Sequence, residues 1–437
     1  MVRTGLGQIA AGVVLAMAMA FAAPVRADDG ARVIANWYRL VLELVRHTPT
    51  YSPPVASRAF SYLGVIAYEA VATGKPDMVS FAGQLTDLTP VPPREAGLAY
   101  DEAVVVNAAM TDAVKVFFSN TGPTGQRAKA AMEKSLTAQV VEGVAPDVVE
   151  RSKAYGKVVA DHIIAWSSTD GGAVVENMGF PYESALAKGP GDWVPTSLIV
   201  QQQKPLLPDW GNVRPFAMPA GDACALPPPP AYSEDPSSAF YAEAKEVYDV
   251  TTNLTPEQKL IARFWSDDPM LSPTPPGHWT AIAMDILDAQ DADAARRAEV
   301  LARLGIAVAD AFIGCWQSKY EYNLLRPVTY IRRVIDPKWE ALLITPPFPE
   351  YPSGHSTQSG AAAAVLTDLF GENFAFDDAT HEDEGMAARH YPSFATAAEE
   401  AALSRLYGGI HFRSAIERGL EQGRCIGAHV NALRTRK

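Results

Sequence analysis

KYEYNLLRP at 319–327, PSGH at 352–355 and SRLYGGIHFRSA at 404–415 are the stretches on which the reading of this 437-residue chain turns. Between them they hold Lys319, Arg326, Ser353, Gly354, His355, Arg405 and His411, a concentration of cations, imidazoles and small donors that helix packing does not require. An Arg fork and a Lys point charge neutralise the oxygens of a tetrahedral anion, while a Ser hydroxyl and a Gly N–H fill the gaps between them. One His can then bond the central atom and the other can move a proton. The chain carries a formal net charge of −13, so such a grouping of cations stands out against an acidic background. The same acid excess argues against nucleic acid as a partner, which would call for a basic face.

Working outward, PSGH should open an Ala-rich helix from Ser356 to Phe370. Its N-terminus would present free N–H groups and a positive dipole end to the anion. The prolines of ITPPFPEYP stiffen the approach to that helix. Ser404-Arg405 closes a helix beginning near Thr396, and Gly408-Gly409 breaks the chain before His411 leads into a last helix through Leu433. One helix thus delivers Arg405 and the next delivers His411.

These residues resemble the superfamily of type 2 phosphatidic acid phosphatases and vanadium haloperoxidases. Its pattern is Lys, six residues, Arg-Pro; then Pro-Ser-Gly-His; then Ser-Arg, five residues, His, three residues and Asp. Every element is present here except the last, because Ala415 stands where the Asp would be. The resemblance implies an all-α fold of packed helical bundles over roughly Thr255 to the C-terminus, with the earlier helices completing it. It also implies two chemistries for one pocket. In the haloperoxidase branch vanadate is the cofactor: His411 ligates vanadium and Lys319, Arg326, Ser353, Gly354 and Arg405 hold its oxygens. Hydrogen peroxide then reacts with help from His355 and Lys319, and a halide is oxidised. In the phosphatase branch there is no such cofactor; His411 attacks phosphorus and His355 protonates the leaving oxygen.

Trp316 and Phe348 tilt the reading toward the haloperoxidases, because the chloroperoxidase and bacterial iodoperoxidase groups carry Trp and Phe at matching positions. KYEYNLLRPVTYIR and FPEYPSGHS extend that likeness beyond the bare pattern. Hydrogen peroxide and a halide, iodide or bromide before chloride, are therefore the expected partners, with exported acid phosphatase as the alternative. The absent Asp leaves His411 to find a backbone carbonyl or another acid such as Glu417. If it finds neither, the chain becomes an oxyanion binder without catalysis. By the same resemblance Asp268 in FWSDD is expected to pair with Arg405, with Asp267 as the alternative. His278 lies in a turn near the site, and His381 and His390, in a polar stretch, are expected to be solvated.

The rest of the chain reads as helix. Apolar residues recur at three and four from Ala31 to Arg46 and from Val55 to Thr73, and further helices are expected over Ala96 to Phe118, Thr124 to Gln139 and Pro146 to Ser167. From 171 to 236 Pro and Gly dominate, giving a long irregular connection between an N-terminal helical region, 28–170, and a C-terminal catalytic one, 237–437, which form one integrated domain. Trp193 and Trp210 are expected to anchor it. Thr255 with Gln258 predicts a capping box, and Asp293 the N-cap of the helix that runs to Lys319. Residues 1–27 read as a signal peptide, an apolar run followed by Val25-Arg26-Ala27, so the protein is expected in the periplasm or outside the cell, free of the membrane. Three cysteines permit one disulfide at most, and Cys315 reads as a small buried hydrophobe. Homo-oligomerisation is left open.

Overall fold

The structure, a computed structural model, describes residues 28–176, 186, 188–197, 203–268 and 270–437. The expected signal peptide lies outside them. The regular structure among the described residues is almost all helix, as the all-α expectation required. In chain order the helices are α1 (Asp29–Arg46), α2 (Pro53–Ala72), α3 (Glu102–Phe117), α4 (Pro123–Val140), α5 (Pro146–Ser167), α6 (Gly172–Glu176), α7 (Ala239–Thr252), α8 (Pro256–Phe264), α9 (Thr274–Ala289), α10 (Ala294–Tyr322), α11 (Pro327–Val334), α12 (Gly354–Phe370), α13 (Phe394–Tyr407) and α14 (Arg413–Asn431).

The spine is α10, of 29 residues and buried along almost its whole length. Asp293 opens it, its carboxylate accepting from Arg296 N, and Asn323 ends it in the left-handed region at φ 45°. It packs against α1 and α2 and also against α12 and α14, so the larger of two apolar clusters draws on both ends of the sequence. Backbone contact makes this tight. A Cβ on Gly64 would lie 2.8 Å from Ala302 Cα, and one on Gly423 would clash with Thr357 O. The second contact seats α14 directly on the first turns of α12, where His355 sits.

The capping box at Thr255 and Gln258 forms as expected. Thr274–Ala289 opens on Pro275 and Pro276, which suit the first turn of a helix because no N–H is needed there. The passage after Arg326-Pro327 is helical, again with Pro at the N-terminus. One feature escaped the helical reading: a short antiparallel ribbon of β1 (Phe376–Asp378) and β2 (Arg389–Tyr391). The connection after 171 is largely irregular among its described residues and is anchored by buried Trp193 and Trp210. Cys224 within it is disulfide-bonded to Cys425 of α14, and Cys315 is buried and free. Among the described residues no helix is long and apolar enough to cross a membrane.

Candidate oxyanion site

The fold brings together all seven residues of the three stretches. Lys319 lies in the last turn of α10, Arg326 caps α11, Ser353 caps α12 with Gly354 and His355 following, Arg405 lies in the last turn of α13, and His411 stands just before α14. Lys319, Arg326, Ser353, Arg405 and His411 are each at most 2% exposed. Cations are seldom buried like this unless something anionic meets them.

His411 shows how the site is tuned. Its Nδ1–H donates to Glu350 Oε1 at 2.8 Å, and Nε2 receives Arg326 Nη1–H at 3.2 Å. The carboxylate thus fixes the tautomer and leaves the Nε2 lone pair on the side of the cations. Burial, then Arg326, Lys319 and Arg405, keep the imidazole neutral by holding it well below the usual histidine range. Glu350 Oε1 also accepts from Phe412 N at 2.8 Å. Its carboxyl is pushed up to about 8 by burial, against the pull of Arg326 and Lys319.

The expectation that Glu417 might take the place of the absent Asp is corrected here. Glu417 faces Arg413 at 3.8 Å, on the outside of α14, while the backbone carbonyl of Ala415 accepts from Ser353 N at 3.0 Å. The partner is Glu350, which the sequence reading did not single out. The signal available was a lone acid in a Pro-dense run two residues before PSGH, where a charge has no helical face to solvate it.

Lys319 Nζ donates to three backbone carbonyls, those of Pro349, Glu350 and Pro352. It therefore braces the turn that delivers Ser353 and His355, and must release one carbonyl to reach an anion. Burial lowers it to about 7. Arg326 donates Nε–H to Phe348 O and Nη1–H to Ile410 O, at 2.8 and 2.9 Å, while its Nη2 has no partner among the described residues. Arg405 Nε is likewise buried and unpartnered. The Ser353 hydroxyl accepts from Ser356 N at 3.3 Å and keeps its own proton to give. Unspent donors around an excess of positive charge fit a tetrahedral oxyanion such as vanadate or phosphate.

His355 is held from its other side. Nε2 accepts from Arg405 Nη1 at 2.8 Å and lies 3.4 Å from Asp267 Oδ2. Burial, then Arg405, lower it to about 4, against Asp267. Asp267 is the carboxylate that enters the site, turned inward by a backbone at φ 51°. The expected pairing with Arg405 is corrected for both acids: Asp268 feels Arg405 but remains half-buried, and neither it nor Asp267 forms an ion pair with Arg405 among the described residues. His381 is also corrected, being only 2% exposed, whereas His390 is exposed as expected. His278 is fully buried behind Asp267.

Trp316 and Phe348 meet with ring centroids 4.9 Å apart. Phe348 also covers Lys319 Nζ, 5.1 Å from its centroid, and the Arg326 guanidinium at 4.9 Å. The Trp316 indole N–H donates to Leu206 O at 3.1 Å, so the irregular connection is tied to this wall.

A helical scaffold that buries three cations and His411, with His355 half-buried beside them, around unspent donors fits an oxyanion-handling protein. Comparison with known proteins narrows this. A family model described as the VCPO second helical-bundle domain matches residues 299–338 and 334–436. A crystal structure of a bacterial vanadium-dependent iodoperoxidase superposes with TM-score 0.85 at 40% identity, covering 93% of this chain and 97% of that one. The chain belongs to the vanadium-dependent haloperoxidases, a family of enzymes. A bacterial vanadium-dependent chloroperoxidase shares the fold, with TM-score 0.68 at 17% identity over 89% of this chain and 93% of that one. The vanadium chloroperoxidase of Curvularia inaequalis is 26% identical over 224 residues, a match spanning 37% of this chain and 37% of that protein.

Proposed function

We propose that the protein is an exported vanadate-dependent haloperoxidase that converts hydrogen peroxide, a halide and a proton into hypohalous acid and water. The observation that carries this reading is the Trp316–Phe348 wall laid over Lys319 and Arg326. It joins an apolar surface suited to a weakly hydrated halide to the cations of the oxyanion cage. The likeness to the bacterial iodoperoxidase over nearly the whole chain supports it.

Arg326, Arg405, Ser353 and Gly354 would hold the oxygens of vanadate, with Lys319 joining them, and His411 Nε2 would be the protein ligand to the metal. Bound vanadate supplies the Lewis acid that makes the peroxide oxygen electrophilic. The chain's own residues do the remaining work. Glu350 keeps His411 in the tautomer that offers Nε2. His355, neutral at working pH, takes a proton from hydrogen peroxide and returns it to the departing oxygen. Phe348 and Trp316 exclude water, which strengthens the action of Lys319 on the peroxide. Among halides, iodide is the easiest to oxidise and is the proposed preference.

The disulfide between Cys224 and Cys425 supports export, since such bonds persist in oxidising compartments. The neutral His411, its Nε2 lone pair turned toward the cations, would also suit a phosphatase nucleophile, so one paired assay decides. Purified protein loaded with orthovanadate should oxidise iodide and bromide with hydrogen peroxide, iodide most efficiently. Phosphate should compete with vanadate during loading. Hydrolysis of an aryl phosphate without any halide oxidation from acid to neutral pH would replace this reading by the phosphatase one. Chloride turnover equal to iodide would overturn the halide ranking, and Phe348→His tests the wall directly.

A further inference from the structure

Behind the oxyanion cage lies a second buried polar cluster, composed of Asp267, His278, Asp378 and His381, each at most 4% exposed. It draws on three separate parts of the chain: the loop after α8, the first turns of α9, and the end of β1 with the turn that follows it, where His381 lies. His278 is its centre. Nδ1–H donates to Asp267 Oδ1 and Nε2–H to Asp378 Oδ2, both at 2.8 Å. Trp265 stacks on the ring at 4.4 Å, and its carbonyl accepts from Arg405 Nη1 at 2.6 Å. Among the described residues Asp267 Oδ2 has no hydrogen-bond partner, and it looks toward His355 Nε2, 3.4 Å away.

Two occupants could sit between these carboxylates. Ligand atoms of Asp267, His278 and His381 lie within 4.8 Å of one another, a spacing a divalent cation could use. Charge favours a proton instead. Asp267 and Asp378 as carboxylates balance Arg405 and a protonated His278, leaving no net charge; a divalent cation on a neutral His278 would leave one positive charge in excess. Burial opposes the imidazolium, but the two carboxylates outweigh it and push His278 up to about 10. Burial would likewise raise Asp267, yet His278 leads the groups that hold it well below the carboxylate range.

We propose that His278, locked as an imidazolium between Asp267 and Asp378, is a positioning residue for the haloperoxidase reaction. It fixes the Asp267 carboxylate so that its second oxygen receives the Nε2–H of His355 whenever His355 takes up a proton. In the neutral state that nitrogen accepts from Arg405. On protonation Arg405 must withdraw, and Asp267 Oδ2 is the acceptor already in place. The proposal rests on the role of His355 given above. The charged and titratable groups around His278 are Asp267, Asp378 and His381, with Asp285 and Glu382 beyond Asp378; those facing His355 are Arg405 and Asp267.

The test uses the full chain labelled with ¹⁵N-histidine, first without vanadate. His278 should show both ring nitrogens protonated from pH 5 to pH 9. In His278→Asn the titration midpoint of His355 should rise, because a positive charge opposing its protonation is gone. With vanadate loaded, this variant should lose about 10 to 100-fold in kcat while keeping vanadate affinity within about threefold, the range seen when a supporting hydrogen-bond partner is removed. If His278→Asn does not fold, Asp378→Asn should move the titration of His278 itself downward in the same spectra. A singly protonated His278, a stoichiometric metal in the purified protein, or an unmoved His355 midpoint would overturn the proposal. Absence of halide oxidation in the wild type would defeat the haloperoxidase reading instead, and the spectra distinguish the two failures.

Discussion

Glu350 accepts the Nδ1 proton of His411 at 2.8 Å, so the carboxylate that the family pattern places four residues after this histidine comes here from 61 residues before it. The geometry preserves the chemistry of the pair while the sequence position changes. With a carboxylate in place, the motive for reading the chain as an inactive oxyanion binder disappears.

Replacing Glu350 should therefore weaken vanadate binding and turnover. Glu350→Gln keeps an acceptor and should cost about 10-fold, and Glu350→Ala, which leaves Nδ1–H unpaired, about 100-fold. Glu417→Gln should match the wild type. Vanadate dissociation constants and initial rates of iodide oxidation check all three; a large loss in Glu417→Gln alone would show that the partner has been misassigned.

The two site histidines should separate by what each variant loses. His411→Ala should fail to retain vanadium after gel filtration. His355→Ala should retain it but turn over about 10² to 10⁴ times more slowly, as expected when a proton-transfer group is removed. Equal metal loss in both would show that the roles have been exchanged.

Acid should destabilise the protein without vanadate partly through His355. Its folded value of about 4 lies below the ordinary 6.5, so between these values the unfolded chain binds more protons and stability falls as pH drops. The loss is complete below about 4 and amounts to at most about 3 kcal/mol. Glu350, raised by burial, acts in the opposite sense, so the measurement is a difference. Thermal melts from pH 7 to pH 4 should fall less steeply for His355→Gln than for the wild type, and identical slopes would refute the assignment.

Reduction of the Cys224–Cys425 bridge should lower stability strongly, because it closes a loop of 201 residues. Chain entropy sets the scale at about 5 kcal/mol for a loop of that size. Urea unfolding with and without reductant measures it. Cys315→Ser, at a free and buried thiol, should leave the response to reductant unchanged.

The sequence by itself determined the helical class, the long helix capped by Asp293, the capping box at Thr255, and the seven residues of the oxyanion cage. These are local properties: the period of apolar residues, cap chemistry, and motif spacings that helices carry faithfully into space. Only the tertiary structure decided which acids serve the cage. Glu350 reaches His411 because Lys319 and Arg326 draw the carbonyls of residues 348–352 around them, and Asp267 rather than Asp268 turns inward because of one left-handed residue. The pairing of His278 with Asp378 joins positions 100 residues apart through a ribbon that helical periodicity could not signal. A carboxylate's role depends on what surrounds it after folding, since burial and neighbouring charge, not spacing along the chain, set its ionisation and its partner.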